Sequence, residues 1–519
     1  MFRRSWSAFL LIPSLFAASA AQAQTQTTAP ATDPPPPSQA DNPQNPTPPQ
    51  ESKEDVPSPT HESKGAAVAP PTKAAAKPVV NPWFVRTPYE MKLGEGKEQW
   101  KLQVYGFAEA DFMADSTRSF ADGQNAAVIA RNSSANGNNT RLQFTARNSR
   151  FGFKAQSPEV GGIKPTGVLE FDFFGYDPAP YGTPTNSEAG FFNNPTLRIR
   201  HANIKLESEA VDFLFGQMYH LFGWQNYFFG ASAAFLGLPN QVFGRTQQAR
   251  VSHTFKGDAV NVDVALGAFR PVQRDSATPD GEAGVRLMVN NWKAINTPGN
   301  GGTAAYPAAI GVSGLVRKFK VNSPVGNVVT TTPQNSDVGW GLAIDALIPI
   351  IPAEDSTDRG NALTLNAEYS RGSGYADQFT GMTAGATFPA AGGSAGPPMV
   401  TGNTSYVNVD NGLVAYDAGG ALHTIDFQTF WVGLQYYLPP SGRVLLAANY
   451  THADSKNIAD LLPTQPNVYK ESNYVDGTVF FDVTPAARLG LSYQYTKQNF
   501  TDGTSAQNNR YEALALYFF

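Results

Sequence analysis

Cysteine is absent from all 519 residues, which excludes disulfide scaffolds, thiolate metal sites, cysteine nucleophiles and a lipidated N-terminal cysteine. Charge is scarce as well. Asp, Glu, Lys and Arg make up 16% of the side chains, against roughly 25% in ordinary soluble domains. The net charge of -5 gives no general attraction to phosphate backbones, so nucleic acid is not an expected partner. Mean hydropathy is -0.30, and after the first two dozen residues no apolar run approaches the roughly 18 residues of a spanning helix. A helical membrane protein is thereby excluded. A closed barrel is not, because its strands hide their hydrophobicity in alternation.

The chain opens as an export signal. Arg3 and Arg4 precede an apolar stretch from Ala8 to Ala18, and Ala21-Gln22-Ala23 supplies the small residues a signal peptidase accepts. Residues 1–23 are read as a cleaved leader, with Gln24 the first mature residue. An uncleaved anchor would need a longer apolar core, and the surroundings of Arg3-Arg4 fit a twin-arginine signal poorly. Residues 24–99 form the next unit. Up to about Pro82 they are Pro, Ala, Thr, Gln and Ser, with runs such as Pro34 to Pro37, and cannot bury enough apolar surface to offset the entropy of ordering. This segment is expected to be a disordered or polyproline tether. At about 3.1 Å per residue it could reach well over about 100 Å, enough to contact peptidoglycan, although a passive spacer is the simpler reading.

From residue 100 to 519 the texture changes to segments with period-two alternation, separated by Gly, Asn, Asp, Ser and Pro. Val260, Val262, Val264, Leu266 and Ala268 share one face, as do Trp340, Leu342, Ile344, Ala346 and Ile348. The complementary faces carry Asn261, Asp263, Thr364, Asn366, Glu368, Arg488, Ser492 and Gln494. The fold class predicted is all-β: a transmembrane antiparallel barrel of about sixteen strands, the first starting near residue 102 and the last near 509. Short connections (Ser208-Glu209, Gly257-Asp258, Pro439 to Gly442, Thr484-Pro485) alternate with long ones at about 115–140, 175–195, 218–244, 271–283, 320–336, 372–423, 453–470 and 499–508. A soluble sandwich has no reason for this alternation, whereas outer-membrane barrels require it. One connection, about 292–307, is too long for the short-turn side where the count puts it. The terminal Tyr511 to Phe519 places aromatics at an interface, with Tyr517 and Phe519 as the expected assembly signal.

Several segments resemble Gram-negative outer-membrane porins: Tyr105-Gly106-Phe107, Ser149-Arg150-Phe151-Gly152-Phe153-Lys154 and the aromatic C-terminus. More narrowly, Leu197 to Ala202 (LRIRHA), Phe215-Gly216-Gln217 and Gly244 to Arg250 (GRTQQAR) are similar to stretches of the DcaP-like porins. The resemblance implies a homotrimer of sixteen-stranded barrels passing small, preferably anionic or dicarboxylate, solutes. It also implies recognition of the terminal Phe by the barrel assembly machinery, in a membrane of lipid and lipopolysaccharide. The proline-rich segment stands where that family carries a helical extension, which leaves trimerisation through barrel walls as the expected mode.

Lumen chemistry follows from parity. Arg141 and Arg147 alternate with outward Leu142, Phe144 and Ala146, and a bulge would bring Arg150 and Lys154 inward as well. Arg198 and Arg200 oppose Leu197 and Ile199, and Arg250 opposes Ala249 and Val251. Glu109, Asp111, Glu170 and Asp172 interleave as inward carboxylates. They either tie the wall together by pairing with arginines or set up a transverse field that orients charged solutes. The third long connection, Met218 to Gly244, carries Tyr219, Phe222, Trp224, Tyr227 and Phe228, too aromatic for a loop tip in water. It is expected to fold into the lumen and narrow it, or else to pack at a subunit interface.

No cofactor, metal site or catalytic residue is expected. The six histidines, His61, His201, His220, His253, His423 and His452, lack metal-ligand spacing, and no Gly-x-Ser-x-Gly elbow is present. The function expected is an outer-membrane porin for small hydrophilic anions. Rival readings are a structural or adhesive barrel, a barrel-embedded lipid hydrolase and a soluble secreted β-protein.

Overall fold

The computed structural model describes residues 89–519 except 121, 125–127, 176–195, 226, 235–236, 274–275, 326–327, 354, 380–411, 418–420 and 464–467. The leader and most of the proline-rich segment lie outside the described residues, and so does most of the connection expected at 175–195.

Sixteen antiparallel strands close into a barrel. They are β1 (Trp100–Asp115), β2 in two halves (Arg141–Thr145 and Arg150–Gln156), β3 (Lys164–Asp172), β4 (Arg198–Glu207), β5 (Asp212–Tyr219), β6 (Arg245–Phe255), β7 (Val260–Phe269) and β8 (Asp280–Asn296). The second half comprises β9 (Ala304–Val325), β10 (Val328–Ile351), β11 (Leu363–Ser373), β12 (Asp426–Tyr437), β13 (Val444–Ser455), β14 (Tyr469–Thr484), β15 (Ala487–Phe500) and β16 (Ser505–Phe518). Each pairs with its neighbours in sequence. The ring shuts where β1 meets β16, from Phe107↔Phe518 to Asp115↔Arg510. Phe519 finishes the seam through two backbone bonds of 3.1 Å with Gly106. A short leading strand, Tyr89–Leu93, pairs with Trp100 to Val104 just beyond that point.

Period-two alternation decides which side chain meets which solvent. Leu142, Phe144, Ile199, Leu266, Val316, Trp340, Leu342, Ile344, Leu491, Tyr511 and Tyr517 point outward and are exposed, while Gln143, Asp345, Asn366, Gln494 and Glu512 point inward and are buried. The expected break in β2 is present. Four steps on β1, Phe107 to Asp111, face five on β2, Arg150 to Thr145. That extra residue switches the inward parity from Arg147 to Arg150.

Two long connections of the sequence count are corrected. β9 and β10 stay paired out to Val325↔Val328, so 320–336 is a tall hairpin rather than a loop. β15 and β16 stay paired to Asn499↔Ser505, leaving 501–504 as the turn. In both places Gly, Asn, Ser, Thr and Asp suit a loop, yet backbone pairing continues beyond the apolar belt. The other long connections with described residues pack on one another. Phe120 and Ile129 of 116–140, Tyr375 and Phe379 of 374–425, and Ile458 and Leu461 of 456–468 form one buried apolar cluster.

The outward assignment has a thermodynamic consequence. Leu342→Arg, within the apolar belt of β10, should destabilise the barrel by about 2–4 kcal/mol. Ser252→Arg, on the lumen face of β6, should change it by no more than about 0.5 kcal/mol. Urea midpoints for refolding into phospholipid vesicles measure both, and equal shifts would refute the assignment.

Candidate functional site

The arginines of β2, β4 and β6 converge on one stretch of wall. Arg200 Nε lies 2.7 Å from Glu170 Oε1 and its Nη1 lies 2.9 Å from Asp172 Oδ2. Arg198 reaches the same Asp172 at 2.6 Å while its side chain keeps 30% exposure. Arg150 sits 3.7 Å from Glu170, an ion pair too long for a hydrogen bond. Tyr219 at the end of β5 accepts from Arg200 at 3.1 Å. Arg245 stacks over the rings of Tyr219 and Phe243, at 5.5 and 5.2 Å from their centroids. Arg150 Nε and Arg245 Nη1 are buried with no acceptor among the described residues. Three guanidiniums, Arg150, Arg198 and Arg200, therefore share two carboxylates, Glu170 and Asp172, and Arg245 stands beside them as a fourth. The carboxylates do tie the wall together, and positive charge remains in excess.

Other walls carry the opposite sign. Glu109 accepts from Asn148 at 2.6 Å. Asp111, 1% exposed, has both oxygens without a donor among the described residues. Asp345 on β10 and Glu368 on β11 face each other in register, both buried. The remaining predicted residues divide by position. Arg147 pairs with Asp122 of the loop 116–140 at 2.8 Å, and Arg141 is buried on the same inward face. Arg250 stands away from the cluster, lining a cavity of about 310 Å³ near the short-turn end with Lys205, Asp212, Trp224, Asp263 and Arg286.

The loop 220–244 folds inward and crosses to the far wall. Glu282 of β8 anchors its start: His220 Nδ1 lies 2.6 Å from Oε1, and the backbone N–H groups of Leu221 and Phe222 donate to Oε2 at 2.8 and 2.9 Å. Its aromatics rest on inward glycines. A Cβ at Gly311 would come within 2.8 Å of Trp224 and 2.9 Å of Phe228, and one at Gly341 within 2.9 Å of Phe222. These glycines are sockets, and any larger residue would evict the loop. Tyr227 donates to Pro307 O at 2.7 Å, and Arg286 lies over both the Trp224 and Tyr227 rings at 4.8 and 4.1 Å. Farther on, Asn449 donates to Ala231 O at 2.7 Å, and Val242 N donates to Glu368 Oε1 at 2.8 Å. Tyr219 itself belongs to β5 rather than to the loop, which corrects its expected place.

Arg245 escaped sequence reasoning because it and Arg250 are five residues apart. Strict alternation puts Thr246, Gln248 and Arg250 on one face, so only the bend into the loop turns Arg245 inward. Arg286 was legible, since Gly284, Arg286 and Met288 alternate with outward Val285 and Leu287. Glu282 shares that pattern and was equally readable.

No family model and no curated protein matches the sequence. Among solved structures, the outer membrane channel DcaP of Acinetobacter baumannii superposes with a TM-score of 0.54 at 19% identity, over 81% of this chain and 97% of that one. OmpT of Vibrio cholerae gives 0.42 at 13% identity, over 82% and 99%. An anion-selective porin from Comamonas acidovorans gives 0.41 at 11%, over 81% and 100%. The fold is that of outer-membrane porins.

Removing the loop's anchor should loosen it. Glu282→Ala leaves buried donors unpaired, at about 1–3 kcal/mol each, and amide exchange at Leu221 and Phe222 should accelerate by roughly tenfold per 1.4 kcal/mol. Hydrogen-exchange mass spectrometry in detergent reads this directly, and unchanged protection of 219–229 would show that other contacts hold the loop.

Proposed function

We propose that this protein is a passive channel for small hydrophilic anions, carboxylates among them, in the outer membrane of a Gram-negative bacterium. The observation that carries the reading is the imbalance of four guanidiniums over two carboxylates on one stretch of lumen wall, two of them with unsatisfied donors. Selectivity in a wide pore is set by charge at its narrowest level and by loops folded inward. Here Arg245 links the arginine wall to the aromatic loop, its guanidinium over the rings of Tyr219 on β5 and Phe243 of the loop. Arg150, Arg198, Arg200 and Arg245 attract the anion, and Arg250 carries it past the cavity at the short-turn end. Glu109 and Asp111 on the adjoining wall complete a transverse field.

Residues 1–23 are a leader cleaved on export, and 24–99 a periplasmic tether that could touch peptidoglycan. Tyr517 and Phe519 present an aromatic end to the assembly machinery, and lipopolysaccharide and lipid meet the outward belt. Barrels associate as homotrimers through their walls. The chain carries out no chemical step on its solute.

Single-channel recording in planar bilayers under a KCl gradient tests this. A reversal potential of the anion-selective sign is expected. A unit charge about 4 Å away changes an ion's energy by about 1 kcal/mol in water, roughly a fivefold change in local concentration. Arg150→Ala with Arg245→Ala should therefore lower the anion-to-cation permeability ratio severalfold at low salt, and less at 1 M, where screening shortens to about 3 Å. Cation selectivity of the unaltered protein would defeat the arginine assignment, and a sealed lumen would favour an adhesive barrel.

A further inference from the structure

The connection 297–303, between β8 and β9, fits the alternation of long loops and short turns worst, and it does not stay at the rim. Between Val289 and Lys293, β8 takes four steps while β9 takes one, from Ala308 to Pro307. Such a bulge bends a strand. Beyond it Ala294, Ile295, Asn296 and Thr297 are all buried. The turn then reaches three distant walls. Thr297 N donates to Gln435 Oε1 of β12 at 2.9 Å, and its hydroxyl lies 2.7 Å from Tyr437 OH. Arg488 of β15 donates to Gly301 O at 2.8 Å and to Thr303 Oγ1 at 3.1 Å. The Asn300 amide donates to Glu109 Oε1 of β1.

From the opposite end the loop 220–244 comes to meet it. Gly299 N donates to Gly230 O at 2.8 Å and Ser232 N donates to Gly299 O at 3.1 Å, a parallel bridge between Ala231 and Gly299 inside the barrel. A connection that only reverses the chain needs no partner on β1, β12 or β15. We propose that 297–303 is a second constriction element: docked on the long loop, it seals the lumen over β12–β15 and confines solute to the passage along β4–β7, beside Arg245 and Arg250. The inference rests on the channel reading above. Burial supports the division, since Gln435, Asn449, Asp476 and Arg488 on the sealed side are each less than 5% exposed. Arg250, Ser252 and Thr254 on the other side keep intermediate exposure. Asn300 and Arg488 are then specificity-determining, because they hold the turn over a route lined by Asp476 that would admit cations past the arginines.

Two variants test this in planar bilayers, with folding checked by heat-modifiable migration. One deletes 298–302, joining Thr297 to Thr303; the other, Asn300→Asp, sets a second carboxylate against Glu109 without shortening the chain. Opening the sealed half should raise conductance about twofold or more for the deletion, with the reversal potential moving toward the cation side. Asn300→Asp should move both in the same direction by less. Folded variants with unaltered conductance and selectivity would overturn the proposal. A silent wild type would refute the channel reading by itself: the seal survives if the deletion then conducts, and falls with it if both stay closed.

Discussion

Everything in this molecule depends on a backbone that leaves no peptide group facing lipid. An open sheet would expose a row of unpaired N–H and C=O groups on each edge, costing several kcal/mol per group in hydrocarbon, so the last strand must find the first. The seam from Phe107↔Phe518 to Asp115↔Arg510, finished by the Gly106 to Phe519 pair, is where that requirement is met. Once the ring is shut, side-chain direction is no longer a choice. Odd positions on β10 such as Asp345 must enter the lumen, and even ones such as Leu342 and Ile344 must face outward.

Closure also explains why so much charge sits inside a protein that has little of it. Arg200 beside Glu170 and Asp172 is a buried ion-pair group that would cost desolvation in an ordinary core. In a barrel its alternative is the lipid face, which is worse. The wall therefore collects arginines and carboxylates together, and local stoichiometry, rather than the overall charge of -5, sets the field within the lumen.

The inward segments use the same surface differently. The long loop is held by backbone donors on Glu282 and Glu368 and by aromatic rings set on Gly284, Gly311 and Gly341. These wall positions lack side chains so that the loop can approach. The turn 297–303 instead uses its own polar groups and a bulge in β8 to leave the rim. Together they turn a wide cylinder into one with a filled side and a basic side.

Alternation and connection length are local, so the sequence alone determined the all-β class, the strand number and the inward parity of Arg141, Arg147, Arg198, Arg200, Glu109, Asp111, Glu170 and Asp172. It also made room for the bulge in β2, because Arg147 and Arg150 cannot share a face in a straight strand, but only the pairing with β1 shows that the bulge is there. Tertiary structure decided what local periodicity has no access to. The 320–336 segment stays paired because its partner strand continues, Arg245 turns inward because the chain bends around Tyr219, and 297–303 enters the lumen because Gln435, Arg488 and Glu109 lie within reach of it only after the barrel closes. Those partners are far apart in sequence, so their encounter is a property of the ring and not of any segment in it.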